Sequence, residues 1–319
     1  MQALQFHQTG SLEHLALVDV AKPKPAEGEV LVQIKAAGLN PSDAKNVLGI
    51  FPYTTLPRIP GRDFAGVVVE GLDEWQGRAV WGSGKGLGFT QDGTHAEFLR
   101  LPRSALSATP SNLDFAAAAS CGVPFLTALE AIERSGVTAG TKVLVLGAAG
   151  AVGYAAIQLA KVQGAQVLAA VRKPEQAQQL QTEGFATLLL GDEKPLPEAV
   201  QAHFGAEADV IFDTTGFLLA EAIHALAIGG RVVVIAAPAG GMVQVPVLPL
   251  YRRGGSIIGV NSLLHDVTAS AQMLTRLSPL FESGQLKVKS NLCVLPLSEG
   301  ISAYQKVLES SEQKIILQP

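Results

Sequence analysis

The sequence predicts an α/β protein of two domains, and three observations lead to this prediction. The chain has 319 residues, enough for about two domains that each bury a core. Its first 115 residues contain short β-like segments separated by Pro and Gly, whereas residues 120–256 alternate apolar strand-length runs with helix-length segments. This alternation is typical of a doubly wound parallel sheet, in which helices cover both faces of apolar strands.

The N-terminal part predicts strands at residues 28–35, 64–70 and 94–99. The first of these alternates apolar and polar side chains, and the second is rich in β-branched residues. Pro57 and Pro60 exclude a helix in the sequence PRIPGRDFAG, so this stretch predicts an extended loop that leads into the 64–70 strand.

The middle of the chain predicts six strands of a parallel sheet with helices between them. The strands are expected at residues 142–146, 166–171, 187–190, 209–212, 231–235 and 256–260. The helices are expected at residues 151–163, 175–183, 197–204 and 218–226. Beyond Asn261 the sequence predicts helices at 269–282 and 298–308 and a last apolar segment at 314–317.

Charge and cysteine content exclude several classes of protein. With 24 Lys and Arg against 28 Asp and Glu, the net charge of −4 provides no positive field for nucleic acid. Two cysteines, Cys121 and Cys293, cannot build a disulfide framework, and the start of the chain lacks the basic and apolar regions of a secretory signal. The sequence therefore predicts a cytoplasmic protein that binds no nucleic acid.

Two uncharged runs, residues 143–160 and 232–251, are long enough to cross a bilayer. The second run contains Pro238, Pro246 and Pro249, which exclude a single helix. The first has glycines in its middle, which favour a tight turn. We therefore expect no membrane partner.

The strongest chemical signal is a glycine-rich turn between a predicted strand and a predicted helix. Gly147, Gly150 and Gly153 form the sequence GAAGAVG, in which Ala151 and Val152 open the helix. Glycine permits the sharp turn and the close approach of a pyrophosphate, and a helix N-terminus offers free N–H groups to phosphate. Because the triplet lies in a strand–turn–helix unit, it predicts a dinucleotide site rather than an isolated tight turn.

The end of the next predicted strand indicates which dinucleotide binds. An acidic residue there would bond the ribose of NAD, but the chain has Arg172 and Lys173, with no acid before Glu175. Both cations suit a 2′-phosphate, which predicts NADP(H); the alternative is a pair of solvated surface cations. A short-chain dehydrogenase is disfavoured, because no tyrosine of this chain is followed four residues later by lysine.

Four motifs, GLNPSD, PGRDFAG, GAAGAVG and GGRVVVI, resemble the medium-chain dehydrogenase/reductase superfamily. The similarity covers nearly the whole chain and looks closest to the zinc-free quinone oxidoreductase branch. The resemblance implies a GroES-like catalytic domain at residues 1–119 and a Rossmann NADP-binding domain at 120–260. Residues 261–319 are then a return segment that completes the catalytic domain.

The resemblance also indicates where zinc-dependent members of the superfamily carry their metal ligands. A cysteine ligand is replaced here by Asn40, a histidine ligand by Arg62, and a third cysteine or acid by Val123, with Cys121 two positions away. A catalytic zinc needs three protein ligands, and a guanidinium cannot be one of them. We therefore expect no metal.

The resemblance implies that residues in and after the first motif lie at the active site. Asn40 and Ser42 are expected beside the nicotinamide and the substrate. Ser42 either relays a proton or caps a turn, and Asp43 orients the loop. Tyr53 is either a substrate contact or an ordinary packed aromatic residue.

Arg62 either pairs with Asp63 in the region of the missing metal, which is the favoured interpretation, or contacts the substrate oxygen. His95 is interpreted as a structural residue, because a single histidine in a β segment has no partner for catalysis. The expected nicotinamide contacts are Thr127, Ala236 and Asn261, and the expected contacts on the adenosine side are Thr214 to Gly216.

The predicted activity is an NADPH-dependent reduction that needs no metal. A quinone or an α,β-unsaturated carbonyl accepts hydride because its conjugated oxygen spreads the developing charge, so the protein supplies orientation and hydrogen-bond donors. One alternative is an enoyl-thioester reductase, for which Arg252 and Arg253 would form a basic entrance. Another is an NADPH-binding structural or sensor protein without turnover. The edge strand at 256–260 predicts a homodimer.

Overall fold

The computed structural model describes residues 1–191, 194–238, 240–309 and 313–319, and it divides into two compact units. The first unit contains residues 1–126 and 262–319, and the second contains residues 127–261. The boundaries expected from the sequence follow residues 119 and 260, whereas the first observed boundary lies within a helix, Gly122–Arg134. The chain therefore leaves the first unit once and returns to it once.

The described strands, in chain order, are β1 (Gln2–Phe6), β2 (Leu15–Asp19), β3 (Glu29–Gly38), β4 (Asp63–Glu70), β5 (Ala79–Gly82), β6 (Phe98–Pro102), β7 (Ser107–Ala108), β8 (Lys142–Leu146), β9 (Gln166–Val171), β10 (Ala186–Leu189), β11 (Ala208–Asp213), β12 (Leu226–Val234), β13 (Ser256–Gly259), β14 (Leu292–Pro296) and β15 (Lys314–Gln318).

The described helices are α1 (Pro41–Val47), α2 (Phe115–Ala119), α3 (Gly122–Arg134), α4 (Ala151–Val162), α5 (Pro174–Thr182), α6 (Leu196–Phe204), α7 (Leu219–His224), α8 (Val247–Arg252), α9 (Val267–Glu282) and α10 (Gly300–Leu308). Within these described ranges, every helix is too short or too polar to cross a membrane.

The first unit is a mainly antiparallel sheet that brings the two ends of its chain together. In the described residues its order is β14-β15-β3-β4-β5-β7, with β6 also paired to β3. Val32, Phe64 and Val80 come from three neighbouring strands and pack in one apolar core. At the other side of β3, β15 pairs with its last residues, so that Ile316 lies opposite Gly38. The C-terminal strand is thereby adjacent to the start of α1.

The second unit is a parallel sheet in the order β10-β9-β8-β11-β12-β13. The chain runs outward from β8 through β9 to β10, then crosses back to β11 on the other side of β8. Leu144, Ile211 and Val232 from the three central strands are fully buried, as strands covered on both faces should be. In such sheets ligands bind where the strand order reverses, which here is at the carboxyl ends of β8 and β11.

The predicted α/β class is confirmed, and the predicted elements of the second unit mostly agree with the structure. β8 and β9 have the predicted bounds, and the 232–251 run contains the end of β12 and the separate short helix α8. The 143–160 run is β8, the glycine turn and most of α4. Four strands and two helices of residues 1–126 were not predicted: β1, β2, β5, β7, α1 and α2.

One predicted strand of the first unit begins later than expected, at Phe98 instead of residue 94. Residues 94–97 form a loop, and the strand β6 begins only at Phe98. The N–H groups of Thr94 and His95 donate to the carbonyl oxygens of Gly61 and Pro60 in the PRIPGRDFAG loop, and Ala96 forms an isolated bridge with Ala3 of β1.

Candidate functional site

The glycine turn of the second unit has the geometry of a phosphate-binding turn. Gly147 has φ +78°, a conformation that disfavours any side chain, and its N–H donates to the carbonyl oxygen of Ala170 on the neighbouring strand β9. A Cβ on Gly153 would lie 2.3 Å from the Gly147 carbonyl oxygen, so glycine is needed there for α4 to pack closely. A Cβ on exposed Gly150 would meet only that same oxygen, at 3.4 Å, which leaves this face of the turn open.

The turn after β11 lies against the glycine turn. Thr214 Oγ1 donates to the carbonyl oxygen of Leu146 at 2.8 Å, and Asp213 Oδ1 accepts from the N–H groups of Thr215 and Gly216. Gly216 has φ +83°, and a Cβ there would collide with the backbone of Ala236 after β12. The ends of β8, β11 and β12 therefore form one cradle, which fits a dinucleotide.

The remaining predicted cofactor residues of the second unit lie in different settings. Arg172 and Lys173 follow β9 directly and are exposed. Ala236, which follows β12, and Asn261, which follows β13, are also exposed. Thr127, in α3, is buried.

In the first unit, Arg62 and Ser42 meet. Arg62 is buried, with 2% of its surface exposed, and its Nη2 donates to Ser42 Oγ at 3.0 Å. Its Nη1 reaches Ser262 Oγ at 3.4 Å, and its Nε has no hydrogen-bond partner among the described residues. Because Ser42 Oγ accepts from Arg62, its own hydroxyl hydrogen remains available for another acceptor.

The favoured interpretation of Arg62, an ion pair with Asp63, is wrong. Asp63 Oδ1 accepts from the Val123 N–H at 2.9 Å, and Oδ2 accepts from Asn40 Nδ2 at 2.9 Å. Arg62 and Asp63 are neighbours at the start of an extended strand, where successive side chains point to opposite faces. The two side chains therefore enter different clusters.

Asn40 forms its hydrogen bonds with other residues of the first unit. It precedes α1 as the N-cap residue, and its backbone N–H donates to Asp43 Oδ2 at 2.8 Å. Its amide oxygen accepts from Lys314 Nζ at 2.6 Å, while its amide nitrogen faces Asp63. Asn40 is buried, with both its amide oxygen and its amide nitrogen bonded within the protein. Asp43 caps α1, so Ser42 is not needed as a cap.

Burial raises the pKa of Asp43 to about 6, from an ordinary value of 3.8. The Arg62 guanidinium opposes this rise and the neighbouring Asp63 adds to it, while the Asn40 N–H and the Lys314 ammonium favour the charged form. Asp43 Oδ1 has no hydrogen-bond partner among the described residues, which fits a carboxyl group that protonates easily. Asp43 therefore titrates close to neutral pH.

Asp43 should make the stability of the protein depend on pH. Its pKa is higher in the folded state than in the unfolded state, so its contribution is complete below about pH 4 and is lost as the pH rises through about 6. A difference of about 2 in pKa corresponds to about 3 kcal/mol. In urea unfolding, we expect Asp43→Asn to become more stable relative to the unsubstituted protein by up to about that amount between pH 4 and 7. Asp19→Asn, at an exposed site, is the control. If the free energies of unfolding of Asp43→Asn and of the unsubstituted protein changed in parallel with pH, the assignment of Asp43 would be refuted.

Tyr53 belongs to a cluster of three aromatic rings. Its ring lies 5.8 Å from those of Phe51 and Phe89, and the Phe51 and Phe89 rings meet edge to face at 5.1 Å. Tyr53 is 49% exposed, whereas Phe89 is buried, and the guanidinium carbon of Arg62 is 6.0 Å from the centre of the Phe89 ring. The cluster therefore connects an exposed aromatic surface with the Arg62–Ser42 pair.

The residues at the expected zinc-ligand positions do not fit a zinc site. The Asn40 oxygen is bonded to an ammonium, Arg62 carries a positive charge, and Val123 offers only its backbone. Burial raises the pKa of the Cys121 thiol to about 12, and its Sγ donates to the carbonyl oxygen of Ala117. Across residues 1–191, 194–238, 240–309 and 313–319, no group of three or more His, Cys, Asp or Glu side chains could hold a metal ion.

His95 is a structural residue, as the sequence suggested. It is fully buried, and its Nδ1 forms a 2.8 Å hydrogen bond with Tyr304 Oη. Burial lowers its pKa to about 3, so the imidazole stays neutral at physiological pH. Gly61, with φ +98°, is required beside it, because a Cβ would lie 2.7 Å from His95 Nε2.

Three residues of this cluster were missed in the sequence: Lys314, Ser262 and Phe89. Lys314 and Ser262 come from the part of the chain that returns after the second unit, more than 190 residues away from Arg62. No local pattern marks any of the three, since an isolated lysine, serine or phenylalanine is common everywhere.

Comparison with known proteins places both units in described families. Residues 26–111 match the family described as "Alcohol dehydrogenase GroES-like domain", and residues 151–276 match "Zinc-binding dehydrogenase". The GroES-like part expected from the sequence is thereby confirmed.

Three relatives cover most of the chain. It is 38% identical over 310 residues to a zinc-type alcohol dehydrogenase-like protein of Schizosaccharomyces pombe, covering 95% of this chain and 92% of that protein. It is 34% identical over 298 residues to the chloroplastic NADPH-dependent alkenal/one oxidoreductase of Arabidopsis thaliana, covering 90% and 71%. It is 28% identical over 316 residues to the quinone oxidoreductase of Homo sapiens, covering 98% and 95%.

Proposed function

The chain belongs to the medium-chain dehydrogenase/reductase superfamily, and from that premise we propose that it is an NADPH-dependent, zinc-independent reductase of quinones or α,β-unsaturated carbonyls. The superfamily binds a nicotinamide dinucleotide, and its quinone and alkenal/enone members are oxidoreductases of small molecules. The observation that carries the proposal is Arg62: a buried guanidinium whose Nε–H has no partner among the described residues, next to the Ser42 hydroxyl and an aromatic cluster.

The choice of NADPH rests on Arg172 and Lys173. Gly147, Gly150 and Gly153 hold the pyrophosphate at the start of α4, and the two cations following β9 bind the 2′-phosphate. Ala151 and Val152 supply backbone N–H groups in the first turn of α4, and Thr214, Gly216, Ala236, Thr127 and Asn261 complete the proposed contacts. When bound, NADPH supplies hydride to the acceptor.

Removing both cations should change which cofactor binds. We expect Arg172→Ala with Lys173→Ala to raise the Kd for NADPH about 10- to 100-fold and to leave the Kd for NADH within about 3-fold. Fluorescence titration measures both constants, and Arg252→Ala provides a surface control. An unchanged Kd for NADPH would show that the two residues are solvated cations only.

The residues of the first unit would supply binding and polarisation of the acceptor. The Phe51, Tyr53 and Phe89 rings offer apolar faces to a flat conjugated molecule. The Arg62 guanidinium donates a hydrogen bond to its carbonyl oxygen, where negative charge develops, and this interaction is strong because the guanidinium is buried. The Ser42 hydroxyl donates a hydrogen bond towards the same oxygen. Asn40 and Asp43 hold α1, which carries Ser42.

In this proposal the protein needs no zinc because of the charged side chains at the site. Arg62 and the Lys314 ammonium bring positive charge to the region where zinc-dependent relatives place the metal, so Arg62 takes the electrophilic role. The match to a zinc-binding dehydrogenase family concerns residues 151–276, whereas the substituted positions 40, 62 and 123 lie outside that match.

The enoyl-thioester alternative has weaker support. Arg253 donates from Nε to the Leu226 carbonyl oxygen at 2.6 Å and from Nη2 to Glu207 and the His224 carbonyl oxygen. Its guanidinium is committed to its own unit, so Arg252 remains as the exposed member of the expected basic pair.

The experiment that tests the proposal is steady-state NADPH oxidation with a panel of ortho- and para-quinones, enals, enones and enoyl thioesters. Turnover of a quinone or an enone supports the proposal. Turnover of thioesters alone would replace it with the enoyl-thioester reductase. Tight NADPH binding with no turnover of any acceptor would indicate a structural or sensor protein.

A homodimer and a cytoplasmic location stay predictions. The edge strand β13 pairs with β12 on one side only in the described sheet, and Ile257 on it is partly exposed. Sedimentation analysis of the purified protein tests the dimer.

A further inference from the structure

Lys314 is a buried lysine that has no contact with the substrate in the proposed chemistry. It begins β15, and only 7% of its side chain is exposed. Its Nζ donates to Asn40 Oδ1 at 2.6 Å and to the Leu39 carbonyl oxygen at 3.1 Å, and it lies 3.9 Å from Asp63 Oδ2. Burying an ammonium costs free energy, and here two oxygen acceptors and the charge of Asp63 offset that cost.

The first consequence of Lys314 is the orientation of the Asn40 amide. Because the ammonium can only donate, it fixes the amide oxygen on its own side, and the amide nitrogen must face Asp63 Oδ2, 2.9 Å away. Asp63 Oδ1 in turn accepts from the Val123 N–H at 2.9 Å. One chain of hydrogen bonds thus joins β15, the start of α1, the start of β4 and the start of α3.

The second consequence concerns the residues next to the anchored ones. Ser42 follows Asn40 by two positions in the first turn of α1, and Arg62 directly precedes Asp63. With Asn40 and Asp63 fixed to each other, the two backbones that carry Ser42 and Arg62 are held at one spacing. The observed result is the 3.0 Å hydrogen bond from Arg62 Nη2 to Ser42 Oγ.

We propose that Lys314 is a positioning residue: its ammonium, bonded to Asn40 and facing Asp63, sets the spacing between the Ser42 and Arg62 backbones. It does so as a cation built into the last strand of the chain, with no contact to the substrate. This inference rests on the proposed function for the roles of Arg62 and Ser42 in the reaction, but not for the geometry. A purely structural lysine would neutralise Asp63 without affecting the Ser42–Arg62 pair.

Three variants test the inference. Lys314→Met removes the charge and keeps the length of the side chain, but it leaves Asp63 as a buried carboxylate without a cation. The double variant, Lys314→Met with Asp63→Asn, has neither buried charge. The Asn40 amide can then rotate by 180°, so that its oxygen accepts from the new amide nitrogen at position 63. The new amide oxygen at position 63 still accepts from the Val123 N–H. Lys306→Met, at an exposed position of α10, is the matched control.

We expect Lys314→Met to lower the urea midpoint by about 1 M and kcat about 10- to 100-fold, with the Kd for NADPH unchanged. The neutral double variant should recover most of the lost urea midpoint, and its kcat should be at least about 10-fold higher than that of Lys314→Met. The reason is that the chain of hydrogen bonds forms again without a buried charge. Lys306→Met should leave all three quantities unchanged. A crystal structure of Lys314→Met should show the Arg62–Ser42 hydrogen bond broken.

Two results would overturn the inference. One is a folded Lys314→Met protein in which kcat and the Arg62–Ser42 distance are unchanged. The other is a double variant that recovers neither the urea midpoint nor kcat. If Lys314→Met does not fold, the double variant decides alone. If the unsubstituted protein turns over no acceptor, the proposed function fails, and the unfolding midpoints and the crystal structure still decide the role of Lys314.

Discussion

Replacing Arg62 with methionine is expected to lower kcat for the quinone or enone about 10²- to 10³-fold, the loss typical when one donor to a developing oxyanion is removed. Methionine keeps much of the packing volume against Phe89 but offers no N–H group. The Kd for NADPH should stay within about 3-fold, since the proposed cofactor contacts lie in the second unit. Steady-state kinetics and fluorescence titration measure the two quantities separately.

The matched control for Arg62 is Arg103→Met. Arg103 forms an ion pair with Glu74 at 2.8 Å in the same unit, and both side chains are exposed, so its removal should change kcat less than about 2-fold. An Arg62→Met protein that keeps its kcat would remove Arg62 from the reaction. The fold and the glycine turn of the second unit do not depend on that result.

Substituting Gly153 by alanine is expected to remove NADPH binding and to destabilise the second unit by about 1–3 kcal/mol. The added Cβ would lie 2.3 Å from the Gly147 carbonyl oxygen and 2.8 Å from Ala148 Cα, so α4 must move away from β8. That movement displaces the helix N-terminus that receives the pyrophosphate. Urea unfolding and NADPH titration test the two parts of this prediction.

Gly150→Ala is the matched control for Gly153→Ala. Its Cβ meets only one backbone oxygen at 3.4 Å, so the free energy of unfolding should change by less than about 0.5 kcal/mol. NADPH affinity should nevertheless fall, because the methyl group occupies the open face of the turn. If Gly150→Ala bound NADPH with full affinity, the pyrophosphate would not lie on this face.

The second unit was predictable from the sequence because its determinants are local. β8 and β9 are apolar runs followed by glycine or by helix-forming residues, and the triplet at 147, 150 and 153 marks the turn between β8 and α4. The first unit was less predictable, since β1, β2 and β5 are short and the loops between them carry much of the chain. The 94–99 segment has a strand-like sequence, but the N–H groups of Thr94 and His95 donate to the loop at Pro60 and Gly61, and the strand begins only at Phe98.

The site of the first unit could be predicted in its residues but not in its pairing. Asn40, Ser42 and Arg62 stand in recognisable motifs, yet the partner of Asp63 turned out to be Asn40 rather than its neighbour Arg62. The decisive contacts join residues far apart in the chain, such as Lys314 to Asn40 across 274 positions. Long-range pairs of this kind depend on strand pairing, which a single sequence does not specify.

The central claim, reduction of a conjugated acceptor by NADPH without zinc, is tested most directly by measuring kcat and metal content on the same sample. Protein purified without chelator, and the same protein after dialysis against EDTA, would be assayed with the best quinone or enone of the panel. The account predicts far less than one zinc per chain and the same kcat before and after chelation. Activity that is lost on chelation and restored by added zinc would contradict it.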